Sequence, residues 1–257
     1  MIVSILRAGV LAQHFCALIG RAAVEAVFAR SLYLRSGDRF LCIGEPDIGN
    51  GPLTLIGDIG LSDLALQPGQ SAAVSNRHLT IGAVRFTLDR CETWRPAAWP
   101  PCPSPARLIE ICHILHGRAE AGGLARPHFE RVARARIARF GLCGLIGLGP
   151  GLTPSGDDFL SGALATLDAL GEHRAHATLA RTVEENLSST SALSAALLLA
   201  AAGRHVGEHL HRMVSSVLTG DVDTVLAIAG SVGDSSGWDM LAGITSMLAQ
   251  SAHAPAS

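Results

Sequence analysis

The chain has no lysine: all 20 of its basic residues are arginine. A lysine Schiff base and a P-loop lysine are therefore excluded. Recognition of phosphate or carboxylate falls instead to arginine, backbone N–H groups and hydroxyls. Aromatic residues are scarce, 4% of 257 residues, although hydrophobic residues reach 48%. That balance excludes disorder and favours closely packed helices with small residues between them. A net charge of −2 leaves no basic footprint for nucleic acid. The cysteines Cys16, Cys42, Cys91, Cys102, Cys112 and Cys143 form no C-x-x-C pair, so neither a zinc knuckle nor a redox motif is expected. They read as small buried hydrophobes in a reducing compartment. No uninterrupted apolar run reaches about 18 residues, so no membrane span is expected. The apolar start, Met1 to Gly20, is interrupted by Arg7 and His14 and does not read as a signal peptide. The expectation is a soluble, cytoplasmic protein.

What is present changes character near residue 100. Before it, short β-type runs alternate with turns: Ser31 to Leu34, Phe40 to Ile43, Leu53 to Ile56, Leu79 to Ile81 and Val84 to Leu88. Such spacing predicts antiparallel strands, curled into a small barrel. The stretch Gln13 to Arg30 reads as helical. The segment Trp94 to Pro105 holds five prolines and reads as a linker or wrap. Beyond it the pattern is helical, near 105–118, 127–140, 156–170, 174–187, 191–202, 205–218, 221–229 and 237–250. The predicted fold class is α+β, with a β-rich, barrel-like N-terminal domain over 1–104 and a C-terminal helical bundle over 105–257.

An octapeptide occurs twice in the helical part. Ser155-Gly156-Asp157-Asp158-Phe159-Leu160-Ser161-Gly162 returns 81 positions later as Ser236-Gly237-Trp238-Asp239-Met240-Leu241-Ala242-Gly243. The first copy follows the glycine-rich loop Gly147-Leu148-Gly149-Pro150-Gly151-Leu152-Thr153-Pro154. Free backbone N–H groups ahead of a helix bind anions, so two copies suggest a site where two helix N-termini meet. Gly149, Gly151, Thr153, Ser155 and Gly156 would form the anion nest. Asp157 and Asp158 would orient an amide or a metal. Ser235, Ser236, Gly237 and Asp239 would complete the far wall. A structural alternative stands beside this: Ser155 with Asp158, and Ser236 with Asp239, sit at capping-box spacing.

A third cluster, Ser188 to Ser191 with Ser194 one turn on, reads first as a helix N-cap. Alternatively, Thr190, Ser191 and Ser194 add hydroxyls to the same site. A rival metal reading lies at His205-Val206-Gly207-Glu208-His209, which fits H-x-x-E-H and would put His205 and His209 on one helical face. No obvious third ligand follows it. The sequence makes no cofactor certain, and the carboxylate pair would suit a substrate amide or a Mg²⁺ ion.

The stretch Gly147 to Leu160 resembles the signature of the AllH-like family, and Ser235 to Gly243 is similar to that family's second signature. The family's lead-in there is of the His-Thr-Ser-Gly type, whereas this chain has Asp234-Ser235-Ser236-Gly237. Phe28 to Leu34 and Arg95…Trp99-Pro100 also look like family features. The resemblance implies a subunit of oxamate carbamoyltransferase, which phosphorolyses oxalurate to oxamate and carbamoyl phosphate alongside two different partner subunits. It implies a small anionic substrate: phosphate, carbamoyl phosphate or a small carboxylate or amide. With no nucleophile and paired histidine in evidence, the expected chemistry is direct transfer, with Asp157, Asp158 and Asp239 as the catalytic candidates. The alternatives are a non-catalytic assembly subunit and a zinc hydrolase at His205 and His209.

Overall fold

The computed structural model describes residues 1–121 and 135–253. It divides into two compact units, Met1–Ala97 and Ala98–Ser257. No helix among the described residues is long and apolar enough to cross a membrane.

The first unit is a sheet of β1 (Ile2–Gly9), β2 (Arg21–Val27), β3 (Ser31–Ser36), β4 (Arg39–Gly44), β5 (Thr54–Gly57), β6 (Ser71–Val74), β7 (His78–Ile81), β8 (Val84–Thr87) and β9 (Glu92–Trp94). The order is β5-β4-β3-β2-β6-β7-β8-β1-β9, and β1 pairs with β5 as well. That last pairing closes eight strands into a barrel and leaves β9 as an addition on β1. Alternate residues point inward, as a barrel requires. Val3 and Ile5 of β1, Leu32 and Leu34 of β3, Leu79 and Ile81 of β7 and Phe86 of β8 share one core. Ala12, Phe15 and Cys16 of α1 (Val10–Leu18) join it.

The helix expected over Gln13 to Arg30 is corrected. Helix ends at Leu18, and Arg21–Val27 is a strand. Ala22 and Val24 face the core while Arg21, Ala23 and Glu25 are exposed, a period of two that alanine-rich composition conceals. Pairing with β3 and β6 decides the state, because propensity at alanine is weak in either direction.

The second unit is helical. It contains α2 (Pro105–Ala121), α3 (Ser155–Ala169), α4 (His173–Glu185), α5 (Ala192–Ala202), α6 (Glu208–Thr219), α7 (Val222–Ser231) and α8 (Ser236–His253). The helix expected over 127–140 is seen as a helical stretch at 135–140; the break expected at Gly122-Gly123 lies outside the described residues. Part of the proline-rich segment packs here. The indole of Trp99 stacks on His211, centroids 4.2 Å apart, and its Nε1 donates to Asp168 at 2.9 Å.

Helix α3 is buried on every side from Ser155 to Leu160 and from Gly162 to Leu167. It packs against α4, α5, α6 and, most extensively, α8. A helix enclosed all round is the central element of its bundle. Its partner α8 is the second copy of the repeat, and the contact is reciprocal. A Cβ on Gly162 would lie 2.2 Å from the carbonyl oxygen of Met240, and one on Gly243 would lie 2.0 Å from that of Phe159. Met240 and Phe159 hold the same column of the two copies, as do Gly162 and Gly243. The repeat therefore packs on itself about a local two-fold relation. Gly162→Ala or Gly243→Ala is expected to cost about 1–3 kcal/mol, because a backbone carbonyl cannot swing aside. Thermal unfolding of each variant and of the double variant checks this. The double variant should lose less than the two single losses added, since both act at one contact.

Candidate functional site

The glycine-rich loop runs from Gly147 into α3. Gly147 and Gly149 hold φ of +71° and +119°, a region that side chains disfavour. A Cβ at Gly147 would also meet the carbonyl of Ser189 at 2.1 Å. The loop is drawn back onto its own helix by Asp157. One carboxylate oxygen, Oδ1, accepts from the Gly147 amide at 2.8 Å. The other, Oδ2, accepts from the Ser194 hydroxyl at 2.6 Å and from the Thr190 hydroxyl. Asp157 is 1% exposed, so this carboxylate is a buried knot tying the loop, the start of α5 and α3 together. Ser194 completes it. The clue was its place one turn beyond the hydroxyl run, but only the fold brings it to Asp157.

Asp158, one residue on, has the opposite surroundings. It is 5% exposed, and its Oδ2 meets no donor. Its carboxyl is hydrogen-bonded by the hydroxyls of Ser236 and Thr153, which lie 3.4 Å from each other. Asp239, itself 1% exposed, acts on it as a like charge, and so does Asp157. Burial above all, then these two charges, push the Asp158 carboxyl up to about 7; the two hydroxyls pull the other way. Among the described residues no arginine or histidine pairs with Asp157 or Asp158.

The two copies of the motif thus meet at their first turns. Thr153 and Asp158 from one side reach Ser236 and Asp239 from the other. Thr153, Ser235 and Ser236 are half-buried, and Gly149 and Gly151 are exposed on the loop.

Other expected site residues have structural work instead. Both helices begin at the serine, so Ser155 and Ser236 lie inside the first turn and do not cap it. Pro154 holds the N-cap position of α3 without a side-chain bond, and its carbonyl takes the Asp158 amide at 3.1 Å. The Ser235 carbonyl takes the Asp239 amide at 3.0 Å, the same bond 81 positions later. The amides of Gly156 and Gly237, assigned to the nest and the far wall, are occupied by the carbonyls of Leu148 and Val232 at 2.8 and 3.0 Å. Those two glycines exist for close approach: a Cβ would fall 1.9 Å from the Leu145 oxygen and 2.3 Å from the Ala229 oxygen. Ser191 is the N-cap of α5, accepting from the Ser194 amide at 3.1 Å and donating to the Leu152 carbonyl at 2.6 Å. A smaller set keeps contact with solvent: Gly149 and Gly151 are exposed, and Thr153, Ser235 and Ser236 are half-buried.

The metal readings find no ligand set. Helix α6 starts at Glu208 with Gly207 as its N-cap, so His205 lies outside it and shares no helical face with His209. Among the described residues no three His, Cys, Asp or Glu side chains converge as a metal site requires.

Residues 145–248 match the family model of the oxamate carbamoyltransferase subunit AllH. Over this segment the chain is AllH-like. The AllH match runs from the turn before the glycine-rich loop into α8, so it takes in both copies of the motif and the hydroxyl run between them. No solved structure matches the chain.

Proposed function

We propose that this chain is a subunit of a carbamoyltransferase-type enzyme, and that it holds a small substrate where the first turns of α3 and α8 meet. The observation that carries the reading is the approach of Thr153 and Asp158 to Ser236 and Asp239, within the segment matched to the oxamate carbamoyltransferase subunit. The reaction in view is phosphorolysis of oxalurate to oxamate and carbamoyl phosphate, run with partner subunits. Neutral donors would hold the anion: the amides of the exposed Gly149 and Gly151 and the hydroxyls of Thr153, Ser235 and Ser236. The nearby carboxylates do not forbid it. Asp157 already accepts three hydrogen bonds, and the neutral form of Asp158 persists up to about pH 7. Isothermal calorimetry with inorganic phosphate and with carbamoyl phosphate tests the proposal. Heat of binding is expected on the purified chain or on its assembly with partner subunits, and no heat for either ligand in either state sinks it.

One observation favours a second reading. Much of the motif's polar chemistry is turned inward, to Asp157 and to the helix starts, as in a scaffold that shapes a surface for a partner. On that reading the assembled complex keeps full activity when Ser236 is replaced by alanine.

A further inference from the structure

Two carboxyls stand side by side on α3, and only one of them is furnished as a carboxylate. Asp157 accepts from one amide and two hydroxyls. Asp158 is as deeply placed, yet one of its oxygens meets no donor, and the charges acting on it are both negative: Asp239 from α8 and Asp157 from its own helix. The α5 side supplies only neutral groups, Thr190 and Ser194, and both go to Asp157. A proton on Asp158 removes the buried charge and turns the carboxyl into a donor. Its remaining contacts are Ser236 and Thr153, which are half-buried and 3.4 Å apart. A hydroxyl both accepts and donates, so the pair forms a path from a sealed carboxyl to the surface.

We propose that Asp158 stores the proton delivered to the leaving nitrogen of the carbamoyl donor, and that the Ser236 hydroxyl, supported by Thr153, carries it there. This rests on the carbamoyl-transfer reading above. A phosphate oxygen bonds to the carbamoyl carbon and the carbon–nitrogen bond breaks. The nitrogen takes the proton of Ser236 Oγ, and Oγ takes the proton of Asp158. The carboxylate left behind recovers the proton that phosphate gives up on forming the mixed anhydride. Asp158 is therefore a positioning residue that acts through Ser236, and Ser236 is the group that touches substrate.

Two measurements test this separately. Infrared spectra of the purified chain, taken from about pH 5 to about pH 9, should show a protonated-carboxyl band that fades near pH 7 and is missing from Asp158→Asn. In the assembled enzyme, kcat should fall as pH rises through about 7. Asp158→Asn should lower kcat roughly 100-fold, with little change in KM for phosphate and with that limb gone. Asp158→Glu should restore part of the rate, and Ser236→Ala should lower kcat while the carboxyl band stays. Absence of the band overturns the inference, whatever the activity. A band with a pH-independent rate, or Asp158→Asn at full kcat, also overturns it. A band in a wild-type assembly that transfers no carbamoyl group overturns the functional reading, and the relay with it.

Discussion

Asp158→Asn should make the purified chain more stable in alkaline buffer and leave it nearly unchanged in acid. The carboxyl is raised from 3.8 to about 7 in the folded chain. Below the unfolded value, both folded and unfolded chains carry the proton, and the carboxyl has no net effect on stability. Between about 4 and about 7 the unfolded chain has released its proton while the folded chain retains it, so stability falls steadily with rising pH. Above about 7 the folded chain must carry a charge with one oxygen unpartnered and Asp239 beside it, and the loss levels off near about 4 kcal/mol. Asparagine resembles the neutral acid in shape and cannot ionise, so it escapes that loss. The variant is expected to gain about 2–4 kcal/mol at alkaline pH. That corresponds to a rise in unfolding midpoint of roughly 5–15 °C for a chain of this size. Calorimetric melting in matched buffers near about pH 4 and about pH 8.5 reads it out. A midpoint shift of the same size in both buffers, or a drop in the alkaline one, refutes it. A residue whose removal stabilises the fold is kept for another reason, and a stored proton is a reason of that kind.

Much of this architecture is legible in the order of residues, and the parts that are not share a cause. Helices α3, α5 and α6 end at or beside glycine, at Gly171, Gly203 and Gly220, so those bounds follow from local chemistry. Strands β3, β7 and β8 are flanked by turns and alternate visibly, and β4 reads as a short apolar run buried along its length. Strands β2 and β6 are built on alanine, which carries no periodic signal, and β9 is three residues held by its pairing with β1. For these the partner strand decides. The site divides the same way. The 81-residue repeat announces that two loop–helix starts exist, and the fold does bring them together. Which polar groups face outward depends on contacts distant in sequence. Gly147 reaches Asp157 across 10 residues and Ser194 reaches it across 37, and these closures turn Thr190 inward. Capping-box spacing at Ser155 misled because Pro154 and Ser235 supply the first carbonyl, one step ahead of each serine.

Asp157→Ala should do the reverse of Asp158→Asn, although the residues adjoin. Removing this side chain leaves the Gly147 amide and the hydroxyls of Thr190 and Ser194 without their acceptor. Ser194 is 2% exposed, so water does not readily replace the lost bond. Stranding buried donors of a charged acceptor costs about 3–5 kcal/mol. Asp157→Asn should lose less, about 1–2 kcal/mol, because its amide can donate to the two hydroxyl oxygens while its carbonyl still takes the Gly147 amide. Urea unfolding at neutral pH should therefore rank wild type above Asp157→Asn, and that above Asp157→Ala. Hydrogen exchange at Gly147 should quicken most in the alanine variant, since that amide is the one the carboxylate holds. Equal stability of all three proteins would mean that the loop keeps its shape without the carboxylate. Opposite signs at positions 157 and 158 would instead separate their roles: one carboxylate ties the loop to its helix, and its neighbour is kept neutral at a cost the fold bears.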